Sequence, residues 1–113
     1  MADSPKTRPK SFGERRSAPR TRVLFGGKVC FRDGSTIYDC VIRDISTKGA
    51  RIILPTDSYI PSHIILVDRH NLVAYEASVM WIRVPQFGLR FDRMHGPGAV
   101  LPPGLEFVAD LMR

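Results

Sequence analysis

The sequence has no apolar run near the roughly 18 residues that a bilayer-spanning helix needs. Its first ten residues, MADSPKTRPK, also lack the apolar stretch of a secretory signal. Together these absences argue against membrane insertion and export, so a cytoplasmic protein is expected. Cysteine is scarce, with Cys30 and Cys40 the only two. Asp33-Gly34 is a strong two-residue hairpin signal that sets Cys30 opposite Ile37 and Cys40 opposite Gly27. That register separates the thiols by on the order of 10 Å at about 3.3 Å per residue, too far for a disulfide. Two free, buried or half-buried thiols in a reducing compartment are expected instead.

Catalytic patterns are missing too. There is no Gly-x-Ser-x-Gly elbow, no GxxxxGK phosphate loop and no HExxH. His63, His70 and His95 are scattered without metal-ligand spacing, and the acidic residues stand singly, so no general acid and base pair can be nominated. Neither an enzyme nor a metal protein is expected.

What is present is positive charge, unevenly placed. The 113 residues carry a net +6. Residues 1–22 hold seven basic groups against Asp3 and Glu14, whereas the rest of the chain is close to neutral. A basic segment on a neutral body suits either a solubilising tail or an arm for an anionic partner such as a nucleotide, nucleic acid or lipid surface. The length allows one domain plus a tail, and no second core is expected.

Residues 1–13, with Pro5, Pro9 and Gly13 and no apolar pattern, read as a flexible tail. From Arg22 the texture becomes that of strands. RVLFGGKVCF is rich in β-formers, with Gly26-Gly27 suited to a bulge or bend. TIYDCVIRDIS follows the Asp-Gly turn, ARIIL puts Ala50, Ile52 and Leu54 on one face, and SHIILVD ends at an RHN turn. LVAYEASVMWIR alternates with Val73, Tyr75, Ala77, Val79 and Trp81 on its inward face, and QFGLRFD aligns Leu89 with Phe91. Six short strands predict an all-β fold, a small antiparallel barrel or sandwich in which closure removes most edges. The domain boundaries expected are 14–95 for the barrel with its arginine arm and 96–113 for a C-terminal extension. In that extension LEFVADLMR forms a short helix, whose Leu105, Val108, Ala109 and Met112 pack on the barrel.

Two short motifs carry the chemistry. One is Arg16-x-x-x-Arg20, preceded directly by Arg15; the other is DISTKG, with Asp44, Ser46 and Gly49 at the end of the second strand and the turn after it. Taken alone, DISTKG is a turn recipe, in which Asp and Ser bond nearby backbone and Gly takes positive φ. In this order before a six-stranded pattern, the pair resembles the PilZ domain, a bacterial receptor for cyclic di-GMP whose signature is RxxxR followed by (D/N)xSxxG. The resemblance runs from about Glu14 to Asp92, since VMWIR and GLRF are similar to the family's last two strands.

It implies a closed six-stranded antiparallel PilZ-like barrel, a cyclic di-GMP site and no catalysis. The site residues it implies are Arg15, Arg16 and Arg20 on the arm with Asp44, Ser46 and Gly49 on the barrel. Guanidinium groups pair bidentately with phosphate, reach the O6/N7 edge of guanine and stack on its face. Asp44 offers an acceptor for the N1 and N2 hydrogens of guanine, Ser46 a small donor or acceptor, and Gly49 a turn with positive φ. Arg15 is compatible with a stacked pair of ligands. The implied protein is a bacterial adaptor that orders its arm on the second messenger and signals to a downstream protein partner. One alternative is a small basic barrel binding RNA or DNA through the tail, against which stand the neutral body and the inward reading of Tyr75 and Trp81. The other is a PilZ-like protein-interaction module without ligand.

Overall fold

A computed structural model describes residues 21–55 and 58–112. Six strands follow in chain order: β1 Thr21–Phe31, β2 Ile37–Ile45, β3 Gly49–Ile53, β4 His63–Asp68, β5 Val73–Arg83 and β6 Gln86–His95. They form a closed antiparallel barrel in the order β1-β2-β3-β6-β5-β4, and β4 returns to β1 through pairs from Gly27 opposite Asp68 to Phe31 opposite Ile64. The expected barrel is therefore the observed one, and closure gives every strand a neighbour on both sides over part of its length.

The first hairpin keeps the expected register, Cys30 opposite Ile37 and Gly27 opposite Cys40. Its loop is longer than expected. The Gly34 amide donates to the Phe31 carbonyl and Phe31 donates to Thr36, so the connection runs from Arg32 to Ser35 rather than through Asp33-Gly34 alone. Both loops share one centre, which is why the register survives. Gly34 takes φ +78°, and the Asp33 carboxylate accepts the Ser35 amide at 2.9 Å. Both cysteines are free and buried. Burial, the dominant influence on each, pushes both thiols up to about 12 and keeps them unreactive at neutral pH.

The bulge expected at Gly26-Gly27 lies elsewhere. Pairing of β1 with β2 shifts between Arg22 and Phe25, and the two glycines stay in regular register. Gly27 is needed for close approach, since a Cβ there would stand 2.8 Å from the Val67 carbonyl oxygen.

The barrel interior is filled by Val29, Cys40, Ile42, Ala50, Ile52, Leu54, Ile64, Leu66, Ala77, Phe87 and Leu89, with Ile60 closing one end. A second apolar cluster, not expected from the length, lies outside the wall. Cys30, Ile65, Val67 and Ala74 point outward there and are covered by Leu105 and Val108 of the C-terminal segment. This explains the unbroken apolar run Ile64–Val67, because β4 is covered on both faces. The predicted terminal helix is one turn, α1 Val108–Leu111. Pro102, Pro103 and Gly104 at φ +90° precede it, and Phe107 gives no side-chain cap, so nothing extends the helix upstream. As expected, the segment packs on the barrel.

Trp81 departs from the inward alternation. The pairing of β5 with β6 shifts between Val79 and Trp81, so Met80 is an extra residue. Val79 faces inward opposite Leu89, whereas Trp81 stands outside opposite Gly88 and is 37% exposed. The indole thus belongs to the outer surface, where its face is open to stacking.

Candidate functional site

Arg15, Arg16 and Arg20 lie outside the described residues. The chain enters the barrel at Thr21, opposite Ile45 and so next to the DISTKG turn. The other three predicted residues are close neighbours on the barrel: Asp44 near the end of β2, Ser46 in the turn and Gly49 at the start of β3.

A shift between Ile42 and Asp44 in the β2–β3 pairing lets both Ile42 and Ile45 face the core while Asp44 faces out, opposite Arg51. Asp44 pairs with Arg22 on its other side. Its carboxylate accepts from Arg51 Nε, and Arg51 Nη1 donates to Gln86 Oε1 at 3.0 Å. Asp44 is only 7% exposed although it lies on the outer face. The ion pair therefore orients an acceptor instead of leaving it to wander in solvent.

Ser46 organises the turn. Its Oγ accepts the amides of Lys48 at 3.0 Å and Gly49 at 3.2 Å, while its own amide donates to the Gly49 carbonyl at 2.9 Å. Positive φ is not the reason for Gly49; among the described glycines only Gly34, Gly98 and Gly104 adopt it. A Cβ on Gly49 would lie 2.1 Å from the carbonyl oxygen of Leu89 across the β3–β6 ladder. The glycine keeps two backbones in contact, and Lys48 is exposed at the turn with its carbonyl accepting from Phe91 at 2.7 Å.

Cross-strand pairing extends this face beyond the predicted residues. Arg22, Asp44, Arg51, Gly88 and Trp81 form one row across β1, β2, β3, β6 and β5. Trp81 covers Gly88, whose missing Cβ leaves the room; a Cβ would stand 2.1 Å from the indole Nε1. The Arg83 guanidinium lies 5.9 Å from the indole centroid. One row further on, Arg90 stands opposite Gly49 and Ser78. It donates from Nε to Asp92 at 3.1 Å and from Nη2 to Ser78 at 3.3 Å. Ser78 donates to Asp92 Oδ2 at 2.6 Å, and this bond, ahead of Arg90, holds the Asp92 carboxyl below its usual range. His63 Nδ1 is 3.2 Å from the same hydroxyl, but Ser78 is buried and gives its proton to the carboxylate, so the trio is a structural network.

At the open end of the barrel, on the other side of the turn, lies a cavity of about 700 Å³ lined by Thr21, Ile45, Ser46, Tyr75 and Phe91 among others. Tyr75 and Phe91 stack there with centroids 3.7 Å apart. Sequence reasoning missed Arg51, Trp81 and Arg90. Only strand register brings them to Asp44, and sequence signals for bulges at Arg43 and Met80 are weak.

The outer face thus joins a fixed carboxylate, several guanidinium groups and an exposed indole, close to where the chain enters the barrel at Thr21. The PilZ domain model matches residues 14–98 of the 113, and the chain belongs to that family. PilZ domains are ligand-binding receptors without catalysis, and the family is that of cyclic di-GMP receptors. No curated protein matches the chain. Among the described residues, no helix is long and apolar enough to cross a membrane.

Proposed function

We propose that this protein is a cyclic di-GMP receptor and adaptor, in which Arg16 and Arg20 join Asp44, Ser46 and Gly49 around the ligand. The supporting observation is the outward, ion-paired Asp44 beside the Ser46 turn and the point of arm entry. Two phosphodiesters call for guanidinium groups, and the guanine N1 and N2 hydrogens call for an oriented carboxylate. Trp81 and Arg51 extend the site along the same row, the indole as a stacking surface and Arg51 as the group that aims Asp44. Arg15 is assigned to a second, stacked ligand molecule.

Energetics make the arm the responsive element. Ordering about seven residues costs roughly 1 to 2 kcal/mol each in backbone entropy. Charge-assisted hydrogen bonds return about 1.5 to 3 kcal/mol apiece, so several must form together. Ligand binding thus converts messenger concentration into an ordered surface for a partner, with no bond made or broken.

The test is calorimetric titration of wild type and Asp44→Ala with cyclic di-GMP and cyclic di-AMP. Wild type should bind the guanine ligand alone, and Asp44→Ala should lose most of that preference. Equal wild-type binding of both ligands would overturn the assignment.

A further inference from the structure

We propose that Phe12 seats in the cavity at the open end of the barrel, so that residues 13–20 form a loop with both ends at the mouth. The mouth is apolar where it meets solvent. Ile45, Tyr75 and Phe91 line it and pack against the interior, and Met94 beside them is 62% exposed. The strands do not cover this end, because the β1–β4 ladder begins at Gly27 and the β3–β6 ladder ends at Arg90. Thr21–Phe25 and Asp92–Met94 therefore stand across an opening of about 700 Å³ with no strand between them among the described residues. That volume is in the range of cavities that hold a ligand.

Connectivity names the occupant. Thr21, where the chain enters the barrel, is itself part of the cavity lining. In the twenty residues before it, Met1 and Phe12 are the only large apolar side chains, and Phe12 is the only aromatic. Phe12 lies nine residues from Thr21, so it is never more than about 30 Å from the mouth. A tether that short holds the ring at an effective concentration in roughly the millimolar range, which a free molecule must exceed to compete. The fit is chemical as well. The Tyr75–Phe91 stack offers ring edges and faces to a third aromatic. Ser11 and Gly13, on either side of Phe12, are small enough to enter the opening with it.

The seat has a consequence for the arginines. Ser46 and Thr47 line the same mouth, so a loop pinned at Phe12 and at Thr21 closes beside the DISTKG turn. Arg16 falls midway along it, four residues from Phe12 and five from Thr21. Pinning removes conformations that the loop otherwise loses only on binding, and such pre-organisation raises affinity without any new contact to the ligand. Phe12 is thus a positioning residue for Arg16 and Arg20. This last step rests on the receptor reading, whereas the seat itself does not.

The experiment is NMR on the full chain without nucleotide, with labelled methionine and isoleucine methyl groups. The Met94 and Ile45 methyls should show cross-peaks to the Phe12 ring, and these should vanish in Phe12→Leu. Both methyl resonances should move in Phe12→Ala, while the circular dichroism spectrum stays that of wild type. In calorimetry the cyclic di-GMP affinity should fall on the order of tenfold in Phe12→Ala and be largely kept in Phe12→Leu. Methyl resonances unmoved by Phe12→Ala overturn the proposal. So do cross-peaks that arise only between differently labelled copies, which would make the occupant a second chain, and a fatty acid or other small molecule extracted from the cavity of the purified protein. Cross-peaks together with unchanged affinity in Phe12→Ala overturn the positioning role. If wild type does not bind cyclic di-GMP at all, the receptor reading fails, and the cross-peaks still decide the seat.

Discussion

Gly49 lies so close to Leu89 that a Cβ on the glycine would stand 2.1 Å from the Leu89 carbonyl oxygen. The neighbouring atom is backbone and cannot swing aside. Gly49→Ala must therefore push β3 and β6 apart, at a cost of about 1 to 3 kcal/mol or more. Thermal denaturation should show a clear fall in Tm, and ligand binding should weaken with it because the Ser46 turn is built on the same ladder. A Gly49→Ala variant with wild-type Tm would remove the structural role given to this glycine.

Gly88→Ala should behave differently. Its new methyl meets the Trp81 ring, a side chain at the surface that can move. Trp81 is the sole tryptophan, so its emission reports the site alone. We expect altered tryptophan emission and weaker cyclic di-GMP binding with a loss of stability below about 1 kcal/mol. Unchanged emission would place the indole elsewhere.

Glu76 joins three elements. It accepts from Arg32 at 3.0 Å, lies 2.8 Å from His95 Nε2, and has Arg93 Nε at 3.9 Å. Burial raises its pKa, but the bonds from His95 and Arg32, together with the charges of Arg32 and Arg93, outweigh burial and leave the carboxyl below its ordinary value. A carboxyl depressed in the folded state stabilises above its unfolded pKa, and that contribution is lost as pH falls through the folded pKa. Glu76→Gln should therefore lower stability at neutral pH and flatten the decline below about pH 4.5. Denaturant midpoints across pH 3 to 7 measure both; an acid decline as steep as that of wild type would refute the assignment.

The C-terminal segment shields one cysteine and not the other. Cys30 lies under Leu105 and Val108, whereas Cys40 faces the barrel interior. Leu105→Ala/Val108→Ala should cost about 2 to 5 kcal/mol per site and raise the reactivity of Cys30 toward Ellman's reagent while Cys40 stays protected. Single Cys→Ser backgrounds assign the signal. Equal acceleration of both thiols would mean that the barrel itself had opened.

Much of this fold was legible because barrel strands obey period two. Ala50, Ile52 and Leu54 point inward as read, and the first hairpin keeps its register despite a longer loop. The errors have one cause. Alternation predicts an interior Trp81, but it holds only until a residue is inserted, and Met80 is that residue. The motif predicts a positive-φ turn glycine at Gly49, whereas its constraint comes from Leu89 on a strand forty residues away. The Asp44–Arg51 pair depends on a shift near Arg43, and the Glu76 cluster gathers groups from β5, β6 and the loop after β1. Motif spacing nominates Asp44 and Ser46, but what holds them in place is set by cross-strand register, which local sequence does not express.

The decisive measurement is isothermal titration of cyclic di-GMP into the full chain and into Arg16→Ala/Arg20→Ala, whose substitutions lie on the arm and leave the barrel intact. Wild type should bind, and the double variant should lose binding while its Tm stays unchanged. Undiminished affinity in the double variant would contradict an arm-and-barrel site, however tightly the wild type binds.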